Sequence, residues 1–454
     1  MTPLCGPQAT AQLAALAQRV APARLGVYAL LPNGQALNWQ GDRPFIPAST
    51  WKLVTTAAAL HYLGGDTRFT THVYRDPQNR IWLEGSGDPE FRYEHLQTLA
   101  AAVTGPVTAL VPLPRFHSRG IGLGWEASDL GEGYAAPATA FTLYGNALDW
   151  TLTPGRPPRL TWDDPQTAIG WRIDNQVRLG AADTLQIRRS PGTLHATGTV
   201  PPGPPILGAM ALPDPQSHIL ELFRRALPTP PPLHPPANPV DLEPLAAVVS
   251  NPLRQIVGTA NRDSDNHTAE LLLRHLGNLE PGNGDVAEGG RQRLAVFLRT
   301  RGVDTHTVFV ADGSGLSRQN RISPRALTQL LQAEAHNPDF RQSLAIAGQN
   351  GTLRNRLSNL QLQGKTGTLT GIAALAGYLQ TPSGEAPFTI FLNQSPAPNA
   401  QNRAIVDTAA MLMARLQDCD PSPPPSPQPE PKTAPTPPAT PEPDPAPTTL
   451  PAVP

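Results

Sequence analysis

Proline decides where this chain can build regular structure, because its ring locks φ and removes a backbone donor, stopping helices and central strands alike. The chain carries 55 prolines among 454 residues, and they are unevenly spread. Sixteen fall in residues 420–454, interleaved with Ser, Thr, Glu and Ala. A segment of that composition buries too little apolar surface to fold, so 420–454 is expected to be a disordered, extended, polyproline-like tail. A second cluster, LPTPPPLHPPANP at 227–239, marks a boundary inside the folded part.

The two sides of that boundary differ in period. From about Thr71, short β-rich pieces separated by turn residues dominate, as in HVYRDPQNRIWLEGSGDP and LQIRRSPGTLHATGTV. Beyond it the period is helical, in PLRQIVGTANR, HTAELLLRHLG and GRQRLAVFLRTRG. The chain then returns to strand in IAALAGYLQT and APFTIFLNQ and closes on a helix near Gln401–Gln417. The opening has the same character: a helix over Gln8–Val20, a strand RLGVYALL, an Asn33-Gly34 turn and a return strand. The expected fold class is therefore α+β and multidomain. A discontinuous domain of residues 1–70 and 236–419, an antiparallel sheet flanked by helices, is interrupted by a β-rich insertion at 71–235.

Charge excludes some function classes. Lys and Arg total 35 against 36 Asp and Glu, a net charge of −1, so there is no basic footprint for nucleic acid. No apolar run reaches the ~18 residues that span a bilayer. Met1–Thr10 shows neither a basic n-region nor an apolar h-region, so no export signal is visible. The only two cysteines, Cys5 and Cys419, are either unrelated thiols or one disulfide joining the two ends, which would need an oxidising compartment.

Of the 35 basic residues only Lys52, Lys365 and Lys432 are lysines; the other 32 are arginines. Lys432 lies in the proline tail. Lys52 follows Ser49 by three positions at a helix start, so amine and hydroxyl share a face. A serine attacking a carbonyl needs a base, and a lysine whose pKa is lowered by burial and nearby positive charge can serve. Arginine cannot, since its guanidinium does not deprotonate. Lys365 sits in Gly364-Lys365-Thr366-Gly367-Thr368, opening the strand IAALAGYL, where a strand edge could pair an extended peptide and Lys365, Thr366 and Thr368 could meet a carboxylate. Between them, Ser264-Asp265-Asn266 precedes an amphipathic helix. This triplet is either plain N-capping or a proton-relaying serine beside an amide that holds a substrate carbonyl. His267, Glu270 and His275 on that helix offer a competing metal reading, which no further ligand spacing supports.

The ordered set S-x-x-K, S-x-N, K-T-G, at 49–52, 264–266 and 365–367, resembles the active-site-serine penicillin-binding proteins and serine β-lactamases. The finer resemblance is to the D-alanyl-D-alanine carboxypeptidase/endopeptidase family S13, the DacB-type, class C low-molecular-mass penicillin-binding proteins. EGSGDPEF at 84–91, GWEASDLGEGYAAP at 124–137, DGSGLSRQNRISP at 312–324 and GTLRNRL at 351–357 also carry it. It covers roughly residues 8–415, and the 215 residues between Ser49 and Ser264 fit the domains such enzymes insert there.

The resemblance implies a β-lactamase/transpeptidase-like catalytic domain and a penicillin-sensitive hydrolase of peptidoglycan stem peptides, with no cofactor and no metal. Ser49 would be the acylated nucleophile and Lys52 its base. Ser264 and Lys365 would pass the proton to the leaving amine, and Asn266 would hold the acyl side. Thr366, Gly367 and Thr368 would bind the terminal carboxylate, and the backbone N–H groups of Ser49 and Thr368 would form the oxyanion hole. Asp129 would meet the ammonium of a diamino acid in the stem peptide and Arg318 a carboxylate. Stem peptides and β-lactams are the implied ligands and an extracytoplasmic location follows, with the proline tail a candidate contact to the wall or a partner. Two alternatives remain open: a serine β-lactamase, against which the insertion argues, and a non-catalytic wall-binding scaffold, against which the intact motifs argue.

Overall fold

The computed structural model describes residues 2–280 and 284–419; the proline tail expected over 420–454 lies outside the described residues. The central element is a six-stranded sheet whose neighbouring strands are all antiparallel, in the order Ala345–Ile346, Leu362–Leu369, Ile372–Thr381, Gly384–Asn393, Arg24–Leu30, Ala36–Trp39. First and last segments of the chain thus complete one sheet, as the matching character of the two ends implied.

Alternation along Ile372–Thr381 shows why the sheet is buried on both faces. Ala373, Leu375 and Leu379 join one apolar cluster with Leu13 and Leu16 of the helix Gly6–Arg19 and Val406 and Ala410 of Asn399–Met413. Ala374, Ala376 and Tyr378 join another, with the helices Lys52–Leu63, Leu253–Arg262, Asn266–Gly277 and Pro324–Ala333. Residues two apart share a face, so a strand between two helical layers must be apolar at nearly every position.

Lys52–Leu63 is the central helix of the second layer. Its sequence KLVTTAAALHYL is buried throughout Lys52–Leu60, as expected of a helix without a polar face, and Gly64 ends it at φ 85°.

The chain between the first two motifs builds its own sheets. Thr70–Arg75, Arg80–Gly85 and Ala109–Pro114 form a sheet closed by Glu243–Val249 and backed by the helices Tyr93–Ala101 and Pro215–Ala226. A separate apolar cluster gathers the short strands between Ala147 and Ala211. Two features add to the sequence reading of a β-rich block. The first sheet carries helices and a parallel pair, Arg80–Gly85 with Ala109–Pro114. Its closing strand also lies beyond residue 235, because Glu243–Val249 pairs antiparallel with Thr70–Arg75.

The two ends of the folded part meet. Leu4 and Leu416 form a parallel bridge, and Gln417 N donates to Leu4 O at 2.9 Å. Cys5 and Cys419 are both disulfide-bonded, which decides between the two readings of these residues. Among the described residues no helix is long and apolar enough to cross a membrane.

Candidate active site

Ser49 lies in a 3-10 turn, Ala48–Trp51, that runs directly into the helix beginning at Lys52. Ala48 holds a positive φ of 48°, a conformation that strains a residue with a Cβ and persists where the surroundings impose it. The imposing neighbours are close: a Cβ on Gly367 would lie 2.8 Å from Pro47 O, and one on Gly315 would collide with Ala48 O. Glycine at both positions lets two backbones pack against the serine turn.

Lys52 is fully buried and makes three contacts, with Ser49 Oγ at 3.0 Å, Asn266 Oδ1 at 2.6 Å and Ser314 O at 2.7 Å. Burial pushes its amine down to about 8, opposed by the carboxylates of Asp312, Asp265 and Glu270. Lys365, equally buried, donates to Ser264 Oγ at 2.8 Å and Thr366 O at 2.7 Å. Burial and the charge of Lys52 hold it well below the ordinary lysine range, with Asp263 opposing. The Lys52 amine therefore sits where a proton can come and go near neutral pH, and Lys365 gives up its proton more readily than an ordinary lysine.

The Ser264-Asp265-Asn266 triplet resolves into separate tasks. Asp265 is the N-cap, accepting from Thr268 N at 2.6 Å, so the capping role does not fall on Ser264. Ser264 instead adopts φ 65° and meets Lys365. Asn266, the first residue of its helix, has both amide atoms engaged: Oδ1 accepts from Lys52, and Nδ2 donates to the carbonyl of Tyr134 at 2.8 Å.

Lys365, Thr366 and Gly367 lie inside the strand Leu362–Leu369, the antiparallel neighbour of IAALAGYL rather than its start. On the other side Ala345–Ile346 pairs only with Gln363 and Gly364. Ladder pairing on that side stops before Lys365, the position where a peptide substrate could add as a strand. Thr368 faces a cleft of about 430 Å³ that also receives Ser49, Ser264 and Asn266. Thr366 is buried, with its hydroxyl given to Thr352 Oγ1 at 2.8 Å.

Residues from the inserted block complete the cleft. Asp129 and Tyr134 line it, and the Tyr134 hydroxyl donates to Asp129 Oδ1 at 2.8 Å. Arg318 lines it too, paired with Glu126 at 3.0 Å and donating to Thr370 O at 3.1 Å. Of the expected site residues, Ser49, Ser264, Asn266, Thr368, Asp129 and Arg318 line the cleft, Lys52 and Lys365 lie behind it bonded to Ser49 and Ser264, and Thr366 and Gly367 lie on the adjoining strand.

The metal reading fails on partners. His267 bonds Thr142 Oγ1, Glu270 bonds Arg274 and two backbone N–H groups, and His275 bonds Gly87 O. Among the described residues no cluster could hold a metal ion.

Sequence reasoning passed over several residues. Asp312, fully buried, accepts from Gly315 N, Ser317 N, Asn320 Nδ2 and Trp125 Nε1, shaping the loop whose Ser314 carbonyl meets Lys52. Glu126, Ser128 and Tyr134 carry no signal of their own within GWEASDLGEGYAAP. Their place at the cleft comes from a fold in which the inserted block reaches back to the serine turn.

Fold and site together are those of a penicillin-binding serine carboxypeptidase. The chain belongs to the D-Ala-D-Ala carboxypeptidase 3 (S13) family, whose profile matches residues 9–416. A D-alanyl-D-alanine carboxypeptidase from Actinomadura sp. (strain R39) is 32% identical over 413 residues, covering 80% of this chain and 77% of that protein. The penicillin-sensitive carboxypeptidase A of Dictyostelium discoideum is 24% identical, with 82% of each chain covered. The crystal structure of penicillin-binding protein 4 (DacB) from Haemophilus influenzae superposes with a TM-score of 0.77 at 24% identity, covering 88% of this chain and 98% of that one, and shares its fold.

Proposed function

We propose that the chain hydrolyses the terminal D-Ala-D-Ala peptide of peptidoglycan stem peptides through an acyl-enzyme on Ser49, and that β-lactams acylate the same serine. The observation that carries this reading is the wholly buried Lys52, its amine lowered to about 8 and 3.0 Å from Ser49 Oγ. A neutral amine has two N–H donors and one lone pair. With Asn266 Oδ1 and Ser314 O accepting the donors, the lone pair faces the Ser49 hydroxyl and takes its proton as Oγ attacks the carbonyl. The pair Lys365–Ser264 then delivers a proton to the departing D-alanine amine, and water hydrolyses the ester. Ser49 and Thr368 N–H groups stabilise the oxyanion, and Thr368, on the same strand as Thr366 and Gly367, binds the terminal carboxylate.

Asp129 and Arg318 form the outer subsite, Asp129 for an ammonium and Arg318 for a carboxylate of the stem peptide's diamino acid. Both already have a protein partner, so the incoming groups must compete with Tyr134 and Glu126. The enzyme works outside the cytoplasmic membrane, where stem peptides lie and an oxidising milieu preserves the disulfide state of Cys5 and Cys419. Endopeptidase action on cross-linked peptides uses the same chemistry, and the tail after Cys419 is a tether to the wall or a partner.

A fluorescent penicillin tests the reading. Stable label on Ser49, absent in Ser49→Ala, together with D-alanine released from a pentapeptide, is the expected result. Rapid loss of label would make the protein a β-lactamase, and no label at all would leave only a binding role.

A further inference from the structure

Lys52 acts only if its lone pair points at Ser49, and that direction is set by its two other partners, Asn266 Oδ1 and Ser314 O. These acceptors come from segments far apart in sequence. A single side chain joins them. Glu270 stands four residues after Asn266, one turn along the same helix and on the same face. Its Oε1 accepts from both Gly313 N and Ser314 N, each at 2.8 Å. The helix that supplies the amide acceptor therefore also grips the loop that supplies the carbonyl acceptor.

Resting on the reading of Lys52 as the base, we propose that Glu270 is a positioning residue of this reaction: it ties the Asn266 helix to the Gly313–Ser314 loop, so that both acceptors hold the Lys52 amine with its lone pair on Ser49.

The loop is pinned plane by plane. Thr55 Oγ1 donates to Gly313 O at 2.6 Å while Glu270 takes Ser314 N, so the peptide between 313 and 314 is held at both edges. The next peptide has its carbonyl on Lys52 and its N–H, from Gly315, on Asp312 Oδ1 at 2.8 Å. Without Glu270 two buried N–H groups lose their acceptor, and the cheapest relief is rotation of these planes, which swings the Ser314 carbonyl away from Lys52. Glu270 touches neither substrate nor Ser49, so its effect has to pass through Lys52.

Glu270 also forms a wholly buried ion pair with Arg274 at 2.7 Å, and removing one partner alone would strand a charge. The test therefore removes the pair in two ways. Glu270→Gln with Arg274→Met keeps an oxygen acceptor for Gly313 and Ser314; Glu270→Met with Arg274→Met does not. Both carry the same charge change and nearly the same volume.

The rate of Ser49 acylation by fluorescent penicillin at saturation, the concentration for half-saturation and the thermal midpoint are measured for each. We expect the Gln form to keep at least about a third of the wild-type rate. The Met form should fall ~100-fold in rate, at unchanged half-saturation and with a cooperative melt, the scale of loss a misaligned reacting group produces. Equal rates in the two forms, high or low, would overturn the proposal. Should the Met form not melt cooperatively, Glu270→Asp decides, since it keeps the charge but is one methylene short of the loop. Acylation at the wild-type rate in that variant would overturn the proposal, and a loss like that expected of the Met form would support it. Absence of label on the wild-type protein would instead defeat the reading of Lys52 and Ser49.

Discussion

At the scale of single residues, the chemistry asked of position 52 is narrow. The side chain must reach a hydroxyl three residues back, survive complete burial and release a proton near neutral pH. Lys52→Arg keeps the charge and forbids the release, so acylation of Ser49 should fall ~10²–10⁴-fold, the usual worth of a general base, in a protein of near-normal melting. The wild-type rate should also follow the fraction of neutral Lys52. Protonation below about 8 removes the base, so acylation should rise about tenfold per pH unit on the acid side and level off above that value. A profile flat from pH 6 to 9, measured with the same penicillin, would exclude Lys52 as the proton acceptor.

This narrowness is why the core of the site was legible in the sequence. In a chain that uses arginine for nearly every cation, the two lysines of the folded part both stand where only an amine will do. Asp312 and Glu270 were not legible in the same way. Glu270 is satisfied by backbone N–H groups of a loop distant in sequence and Asp312 by those of its own loop, and backbone donors carry no sequence signature. The Tyr134 carbonyl that orients Asn266 is more hidden still, because every residue has a carbonyl and only the fold selects this one.

At the scale of elements, the loop spanning residues 120–135 links the inserted block to the chemistry. It places Asp129 in the cleft, lends the Tyr134 carbonyl to Asn266 and donates from the Trp125 indole to the buried Asp312 at 2.9 Å. Trp125→Phe keeps the ring and loses that donor. We expect acylation to drop severalfold, about the net value of one ordinary hydrogen bond, with little change in stability because Asp312 keeps its other donors. Asp129→Asn should separate ligands rather than weaken them all. Turnover of a stem peptide bearing a free ammonium should fall at least ~10-fold more than acylation by penicillin, which has no such group. Equal losses for both ligands would remove Asp129 from the outer subsite.

Four strands of the central sheet were readable from period and turn residues, yet Ala345–Ile346, Leu362–Leu369 and the end of the inserted block were not. Glu243–Val249 carries Pro244 and a register shift between Pro244 and Ala246, so its ladder tolerates the residue that argues against a strand. The helices Tyr93–Ala101 and Pro215–Ala226 were hidden among turn-rich neighbours. Their apolar faces become meaningful only once a sheet lies beneath them.

At the scale of the whole molecule, the folded part closes on itself. The first and last helices of the described residues pack on one face of the central sheet, the bridge between Leu4 and Leu416 brings the two ends of the folded part side by side, and the disulfide-bonded Cys5 and Cys419 follow those residues within three positions. A covalent link between such ends acts mainly on the unfolded chain, which loses the freedom of a very long loop, while the native ends are already in place. Its loss should therefore cost stability without touching the site: Cys5→Ser should lower the urea midpoint by an amount equivalent to about 2–5 kcal/mol and leave Ser49 acylation at 25 °C as in the wild type. The Leu4 and Leu416 backbones hold their own hydrogen bonds, so the native sheet needs no cross-link to align it. A variant that acylates slowly while fully folded would instead mean that the ends restrain the sheet at Lys365, four strands away from the Ala36–Trp39 border, through the three strands between them.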